Sequence, residues 1–385
     1  MDFALTEEQT ALRARVLAFA RERIGGKVAE HDRDETFDED GWRVCAEFGV
    51  LGWAVPVEYG GAGYDPLTTA IACEALGQGC RDNGLVFAVE NHLWACTIYL
   101  LLHGTAEQKA AFLPRLADGT LVGAHALTEP EAGSDVLSLR TRAVREGDHY
   151  LLTGTKCFIS NGPRADLYVV FARTGESGGQ RDLSAFLVPR DTPGLEVRRT
   201  ISKAGLRATP MGELAFDECP VPAANLLGAE GAGYALFTST IEWERGFMAA
   251  TQIGRAQRIL DDCVTWAGER VQFGRTIGSY QAVSHRLADM RVHIELARLL
   301  LYKVGWLKQQ GRMALLESAI LKLFTSESLL TTALDAVRVH GARGYVADLP
   351  FERELRDALG SAIFGGTSDI QRNVIASLIG VAGAS

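Results

Sequence analysis

The 385-residue sequence predicts an α+β protein in three consecutive parts: an N-terminal helical domain over 1–120, a middle antiparallel β-barrel domain over 121–228, and a C-terminal four-helix bundle over 229–385. Three observations carry that prediction. Apolar residues recur at helical three- and four-residue steps in the first and last parts, whereas the middle part reads as short β-rich runs broken by glycine and proline. No helical stretch separates the middle strands, so a doubly wound parallel sheet lacks its crossovers. The length, at roughly 100–200 residues per domain, leaves room for two or three domains.

Thr6, followed by Glu7, Glu8 and Gln9, supplies an N-cap and acidic first turn for a helix through Leu12, Val16 and Phe19. Pro56 and the run Gly60-Gly61-Ala62-Gly63 mark a loop. Helical segments resume over Thr68–Leu76, Leu93–Leu102 and Gln108–Leu116. Gly84 to Leu102 is the most hydrophobic stretch, but Glu90, Asn91 and His92 interrupt it, so it reads as core helix rather than membrane span. In the middle part, Arg140–Arg145 and Tyr150–Thr153 flank Glu146-Gly147-Asp148, a hairpin signal. Leu167–Ala172, Ser184–Val188 and Leu195–Thr200 are further strands. After 229, Tyr234 to Arg270 is one long helix, Val283–Gln310 and Leu315–Val339 are two more, and Asp369–Leu378 is a short last one.

At 47% hydrophobic and 23% charged, the chain can bury large cores and is not disordered. A net charge of −9 argues against nucleic acid, whose phosphates need a basic face. The cysteines at 45, 73, 80, 96, 157, 219 and 263 are odd in number, with no CxxC and no zinc-like His–Cys spacing, and read as reduced, mostly buried thiols. The acidic start MDFALTEEQ has no basic n-region, which speaks against a signal or transit peptide. A cytoplasmic protein with no membrane partner is expected. Gly228-Ala-Glu-Gly231-Ala-Gly233 precedes a helix but lacks a βαβ unit, and reads as a turn and helix start. There is no Walker A run, no GxSxG elbow and no HExxH, so no metal is expected.

More informative is Ala124-His-Ala-Leu-Thr128-Glu-Pro-Glu-Ala-Gly133-Ser134-Asp135, a strand ending in a loop of hydroxyls and backbone donors suited to a polar ring edge or phosphates. It resembles the TEPxAGSD signature of the acyl-CoA dehydrogenase family. In the same order along the chain, Phe158-Ile159-Ser160-Asn161 resembles that family's W-I-T/S-N strand, and Arg270-Val-Gln272-Phe273-Gly274 its RxQFG motif. His340 to Tyr345 resembles its GGxGY turn, and Gly366-Thr367-Ser368-Asp369-Ile370-Gln371-Arg372 its GTSxIQR segment. Five matches in register, two in the middle part and three in the last, make chance a poor explanation, and the family's acyl-CoA dehydrogenase-like fold agrees with the helix–β–helix order. The resemblance implies FAD, with Leu127, Thr128, Gly133, Ser134, Phe158, Ile159 and Ser160 on its flavin side. It implies further that Arg270, Gln272, Phe273, Arg338, Gly341, Thr367 and Asp369 bind it, several of them reaching the cofactor of a neighbouring subunit. Arg338 stands where the family often has glutamine, and arginine also holds phosphate. A homotetramer, and an electron-transfer flavoprotein or oxygen as electron acceptor, follow from the same resemblance.

The family's chemistry suits these residues. A thioester makes its α-proton acidic, donors at its carbonyl oxygen stabilise the developing enolate, and a carboxylate removes the proton while hydride leaves Cβ. Many members carry the base just before the GT of GTSxIQR, but here that position is Gly365. In a second group the base precedes an arginine on the long helix. Ile241-Glu242-Trp243-Glu244-Arg245 matches there, with Glu244 in place. Residues two apart on a helix point about 200° apart, so Glu242 and Glu244 cannot share a site. Glu244 and Gly365 are therefore the expected catalytic positions, Gly365 lying in the catalytic loop whose backbone N–H the family uses as a donor. Ser134, Arg245, Phe364 and Gly366 are the implied substrate contacts. For Glu244 the competing reading is a solvated helix carboxylate; for Arg245 it is an intrahelical ion pair.

Gly77 to Gly84, Glu242 to Arg245, Ala288 to Lys303 and Phe364 to Asp369 resemble a narrower group, the prolyl-carrier-protein dehydrogenases of pyrrole-forming pathways. That resemblance implies an L-prolyl thioester on a phosphopantetheine arm. Arg286, Arg291, Arg298, Lys303, Lys308 and Arg312 on one helix offer a basic surface for an acidic carrier, or simply a solvated face. Short- or branched-chain acyl-CoA dehydrogenation, a catalytically silent thioester-binding member, and a monooxygenase or oxidase on the same scaffold remain open.

Overall fold

The computed structural model describes residues 4–381, so residues 1–3 of the acidic start lie outside it. The N-terminal helices are α1 (Glu7–Arg23), α2 (Val28–Asp34), α3 (Glu39–Phe48), α4 (Pro66–Gly79), α5 (Asn83–His92), α6 (Ile98–His103) and α7 (Ala106–Ala117). Thr6 caps α1 as expected: its hydroxyl accepts from Gln9 N, and Thr6 N donates to the Gln9 side chain, each at 3.1 Å. The apolar stretch is helical from Asn83 rather than from Leu93, and a wider π-type turn at Leu93–Thr97 joins α5 to α6. The polar trio that seemed to interrupt it is buried and satisfied. Thr251 Oγ1 donates to Glu90 at 2.6 Å, Asn91 Nδ2 donates to Phe87 O at 2.8 Å, and His92 bridges Leu116 O and Gly123 N at 3.0 Å each. Asn83–His103 is long and apolar enough to cross a membrane, but 83% of its most apolar window lies inside the protein, so it is a core helix.

The middle strands are β1 (Gly123–Ala126), β2 (Arg142–Glu146), β3 (His149–Ser160), β4 (Leu167–Arg173), β5 (Leu183–Pro189), β6 (Leu195–Thr200), β7 (Met211–Pro222) and β8 (Leu226–Leu227). They run in the order β6-β7-β3-β2-β4-β5-β8, with β1 beside β4. Most ladders are antiparallel as expected, but β1 pairs parallel with β4 from Gly123↔Leu167 to Ala126↔Val170. The sheet is therefore mixed, and the β2–β3 hairpin, not a helix, supplies the return between the parallel strands. Its two outer strands are unpaired with each other, so hydrogen bonds do not close it into a barrel. Strand β7 was not legible in the sequence, because Pro220, Pro222 and its acidic residues mask the alternation. Alternation on β4 serves two cores: Tyr168 and Val170 pack within the sheet domain, while Val169 and Phe171 join the helical core.

The last part is α8 (Gly233–Glu269), the hairpin β9 (Val271–Gln272) and β10 (Arg275–Thr276), then α9 (Gln281–Gln309), α10 (Leu315–His340), α11 (Ala342–Tyr345), α12 (Phe351–Ser361) and α13 (Ser368–Leu378). Sequence periodicity misses α12 because its inner face carries charge. Glu354 is buried there, bonded to Arg255 Nε at 2.5 Å and Arg258 at 2.9 Å. Two guanidiniums hold that carboxyl down at about 2 against its burial. All seven cysteines are buried and unpaired, as their spacing suggested.

Candidate active site

Helix α8 carries two glutamates with opposite fates. Glu242 is structural: Lys308 pairs with it and Ala314 N donates to it at 2.7 Å. Glu244 is also buried, yet its Oε2 has no hydrogen-bond partner among the described residues. Burial pushes the Glu244 carboxyl up to about 7, against the lowering influence of Arg245 and Lys322. An orphaned carboxylate oxygen with a pKa near neutrality is the property a general base needs.

The loop after α12 meets this carboxylate. Gly365 and Gly366 have φ of 65° and 87°, the left-handed region that glycine enters without strain. A Cβ built on Gly365 lies 3.5 Å from Glu244 Oε1, so the two places where the family carries its base converge on one point. Arg245 Nε donates to Gly365 O at 2.9 Å, and Gln371 Nε2 donates to the carbonyls of Gly365 (3.1 Å) and Gly366 (3.0 Å). The expected substrate cation Arg245 thus holds the loop. With its carbonyls anchored, the loop keeps the N–H groups of Gly365, Gly366 and Thr367 without an acceptor among the described residues. They are fixed donors available to a carbonyl oxygen or a cofactor. Phe364 packs at a tilt against Phe87, ring centroids 4.7 Å apart, and both rings help line a cavity of about 30 Å³ together with Glu90, Thr251 and Asp357.

Two further groups face this carboxylate that periodicity and motif did not single out. Lys322 of α10 is buried with an unpartnered Nζ, and burial pushes it down to about 8. The Tyr99 hydroxyl is buried without a partner, and burial raises its pKa, with Glu244 adding to the rise. Neither position shows any local sequence signal.

On the sheet domain, the loop Leu127 to Ser134 is fastened by a buried pair: Lys156 Nζ bonds Glu129 at 2.7 Å and Leu127 O at 2.9 Å. Cys157 N donates to Thr128 O at 2.9 Å. At the adjacent irregularity of β3, Phe158 takes φ 59° and is 55% exposed, while Ile159 turns inward and Asn161 Nδ2 bonds Ala88 O of α5 at 2.9 Å. The hydroxyls of Thr128, Ser134 and Ser160 make no hydrogen bond to another described residue, and Gly133 has open space around it. An exposed aromatic beside free hydroxyls and free backbone donors suits a planar polar ring.

The remaining predicted residues fall elsewhere. Arg270 caps the far end of α8, and the 26 residues from Glu244 to it span about 39 Å at 1.5 Å each. Phe273, at φ 51°, is 96% exposed, and Gln272 is exposed beside it. Arg270 and Arg343 flank Trp266, which stacks on His340 beside Gly341. Arg338 is exposed and pairs with Asp335 at 2.9 Å. Thr367 caps α13, and Asp369 pairs with Arg372 at 3.1 Å. The basic helix proves largely self-neutralised: Arg286, Arg291, Arg298, Lys303 and Lys308 all form ion pairs within the chain, and Arg312 packs by Trp306. It offers little free charge to steer an acidic carrier.

Comparison with known proteins matches this arrangement along its whole length. Family models described as acyl-CoA dehydrogenase N-terminal, middle and C-terminal domains match residues 6–120, 124–219 and 231–380. An L-prolyl-[peptidyl-carrier protein] dehydrogenase of Pseudomonas fluorescens is 43% identical over 377 residues, covering 98% of this chain and 99% of that protein. The crystal structure of the prolyl acyl carrier protein oxidase AnaB superposes with a TM-score of 0.97 at 44% identity, over 98% of this chain and 100% of that one. The structure of PigA with FAD and proline gives 0.97 at 36% identity, covering both chains fully.

Proposed function

The chain belongs to the acyl-CoA dehydrogenase family, and from that premise we propose that it oxidises an L-prolyl thioester on a carrier protein toward pyrrole, in natural-product biosynthesis. It is a flavin-dependent oxidoreductase that acts on acyl thioesters, and its cofactor is FAD. One observation carries the catalytic reading: the unpartnered, buried Glu244 carboxylate lies against a loop whose backbone N–H groups have no acceptor.

FAD, when bound, accepts the hydride that leaves Cβ. The chain's own residues do the rest. Glu244 Oε2 takes the α-proton, its burial keeping it basic enough at neutral pH. The N–H groups of the Gly365 loop hold the thioester carbonyl oxygen as charge gathers there, and Arg245 and Gln371 keep the loop in position. The free hydroxyls of Thr128, Ser134 and Ser160, with Phe158, form the flavin side, supported from beneath by Lys156 and Glu129. Glu244 and Arg270 lie too far apart on α8 to serve one compact cofactor site in a single chain. That spacing, with the exposure of Phe273, supports at least a dimer in which Arg270, Gln272, Phe273, Arg338 and Gly341 reach a neighbouring subunit's FAD, and the family resemblance extends this to a homotetramer.

A compact ring is favoured over a long acyl chain by the Phe87–Phe364 contact, which sets bulky rings next to the Gly365 loop. Seven buried thiols support a reducing, cytoplasmic setting. The test is anaerobic flavin bleaching with L-prolyl carrier protein and a panel of short and branched acyl-CoAs. Rapid bleaching by the prolyl carrier alone is the expected result. Bleaching by an acyl-CoA alone moves the substrate to free thioesters, and bleaching by neither overturns the prolyl reading, leaves the substrate unidentified and favours a silent binding protein. Reoxidation by an electron-transfer flavoprotein against oxygen then identifies the acceptor.

A further inference from the structure

Away from the active site, three side chains from three elements converge: His31 of α2, Asp38 at the N-cap of α3 and Asp82 at the N-cap of α5. Each aspartate gives its Oδ1 to its own helix, accepting from Gly41 N at 2.8 Å and Leu85 N at 2.9 Å. The Oδ2 atoms turn instead toward the imidazole. His31 Nδ1 lies 3.6 Å from Asp82 Oδ2 and 4.0 Å from Asp38 Oδ2, and all three ligating atoms fall within 4.8 Å of one another. The Asp82 side chain is 1% exposed, and neither its Oδ2 nor His31 Nδ1 has a hydrogen-bond partner among the described residues. Among the described residues no lysine or arginine pairs with either aspartate.

We propose that His31, Asp38 and Asp82 bind a divalent cation of the zinc type, at a site that is empty here. The spacings are too long for N–H···O bonds. They approach the ligand-to-ligand edge of a tetrahedral zinc centre, about 3.3–3.4 Å for bonds of about 2.0–2.1 Å. One imidazole nitrogen and two carboxylate oxygens, with a water as fourth ligand, make a common zinc donor set. Two buried carboxylates beside one imidazole also leave a local negative charge that a dication offsets. Such an ion would tie α2 and α3 to the start of α5, the helix that carries Phe87 toward the catalytic loop.

The experiment is equilibrium dialysis of the FAD-loaded enzyme against zinc alone, with metal analysis and thermal unfolding, on wild type, His31→Ala and Asp82→Asn. Asparagine keeps the N-cap acceptor, so Asp82→Asn retains its helix start. Expected is one zinc per chain, a zinc-dependent rise in melting temperature, and more than about a tenfold loss of affinity in each variant with the flavin spectrum unchanged. The proposal fails if wild type shows no saturable binding, or if both variants bind as wild type does. It fails equally if zinc leaves the melting temperature of wild type unchanged. Should Asp82→Asn not fold, Asp38→Asn takes its place on the same criteria.

Discussion

Replacing Glu244 by glutamine separates chemistry from folding, because the structure predicts opposite effects on the two. Glutamine keeps the shape but cannot take a proton, so flavin reduction by substrate falls by about 10²–10⁴-fold, the usual contribution of a general base. In the wild type the carboxyl titrates near 7, so reduction rises with pH between about 6 and 8 and levels off above. Stability moves the other way. A carboxyl raised from 4.5 to about 7 in the fold favours its protonated form there. Its contribution is fully present below the unfolded value of about 4.5 and is lost as pH rises through 7. The difference of about 2.5 units corresponds to about 3 kcal/mol of destabilisation at pH 8. Glu244→Gln is therefore more stable than wild type at pH 8 by up to about 3 kcal/mol, with the gap closing toward pH 5. Stopped-flow flavin bleaching and urea unfolding of the FAD-loaded protein at both pH values measure the pair of effects. Reduction within threefold of wild type refutes the assignment of the base, and a variant less stable than wild type at pH 8 refutes the burial argument.

The other predictions follow from single contacts. Moving the carboxylate across the site in Glu244→Gly with Gly365→Glu places it against the same point, and reduction recovers at least about tenfold over Glu244→Gly alone, despite about 1–3 kcal/mol of strain at φ 65°; single-turnover kinetics decides it. Phe87→Leu weakens the 4.7 Å contact with Phe364 and opens the cavity that both rings help line. The ratio of kcat/KM for a longer acyl thioester over the preferred one rises by about tenfold, at about 1 kcal/mol in stability. Lys156→Met leaves the buried Glu129 carboxylate without its cation, held only by the backbone N–H groups of Arg140 and Thr141, and costs about 3–5 kcal/mol by urea unfolding, whereas adding Glu129→Gln, which removes the charge and keeps a carbonyl acceptor, restores part of it.

The order helix–sheet–helix, the long α8 and the motif loops were legible in the sequence, since each rests on short-range periodicity or on residues adjacent in the chain. Two elements hid for different reasons: in β7 two prolines and the exposed Asp217 and Glu218 interrupt the alternation, whereas α12 turns charge inward, and the partners that satisfy it, Arg255 and Arg258 for Glu354, lie about a hundred residues away. The same distance concealed Lys156 under the Thr128 loop and Lys322 and Tyr99 near the base. It also made the run of cations on α9 look free, though their acidic partners lie mostly on other helices. Periodicity reports which side of an element is apolar. Which charge meets which, and so whether a glutamate is a strut like Glu242 or an unpartnered carboxylate like Glu244, is decided only when packing removes water and leaves each buried charge to the neighbours the fold supplies.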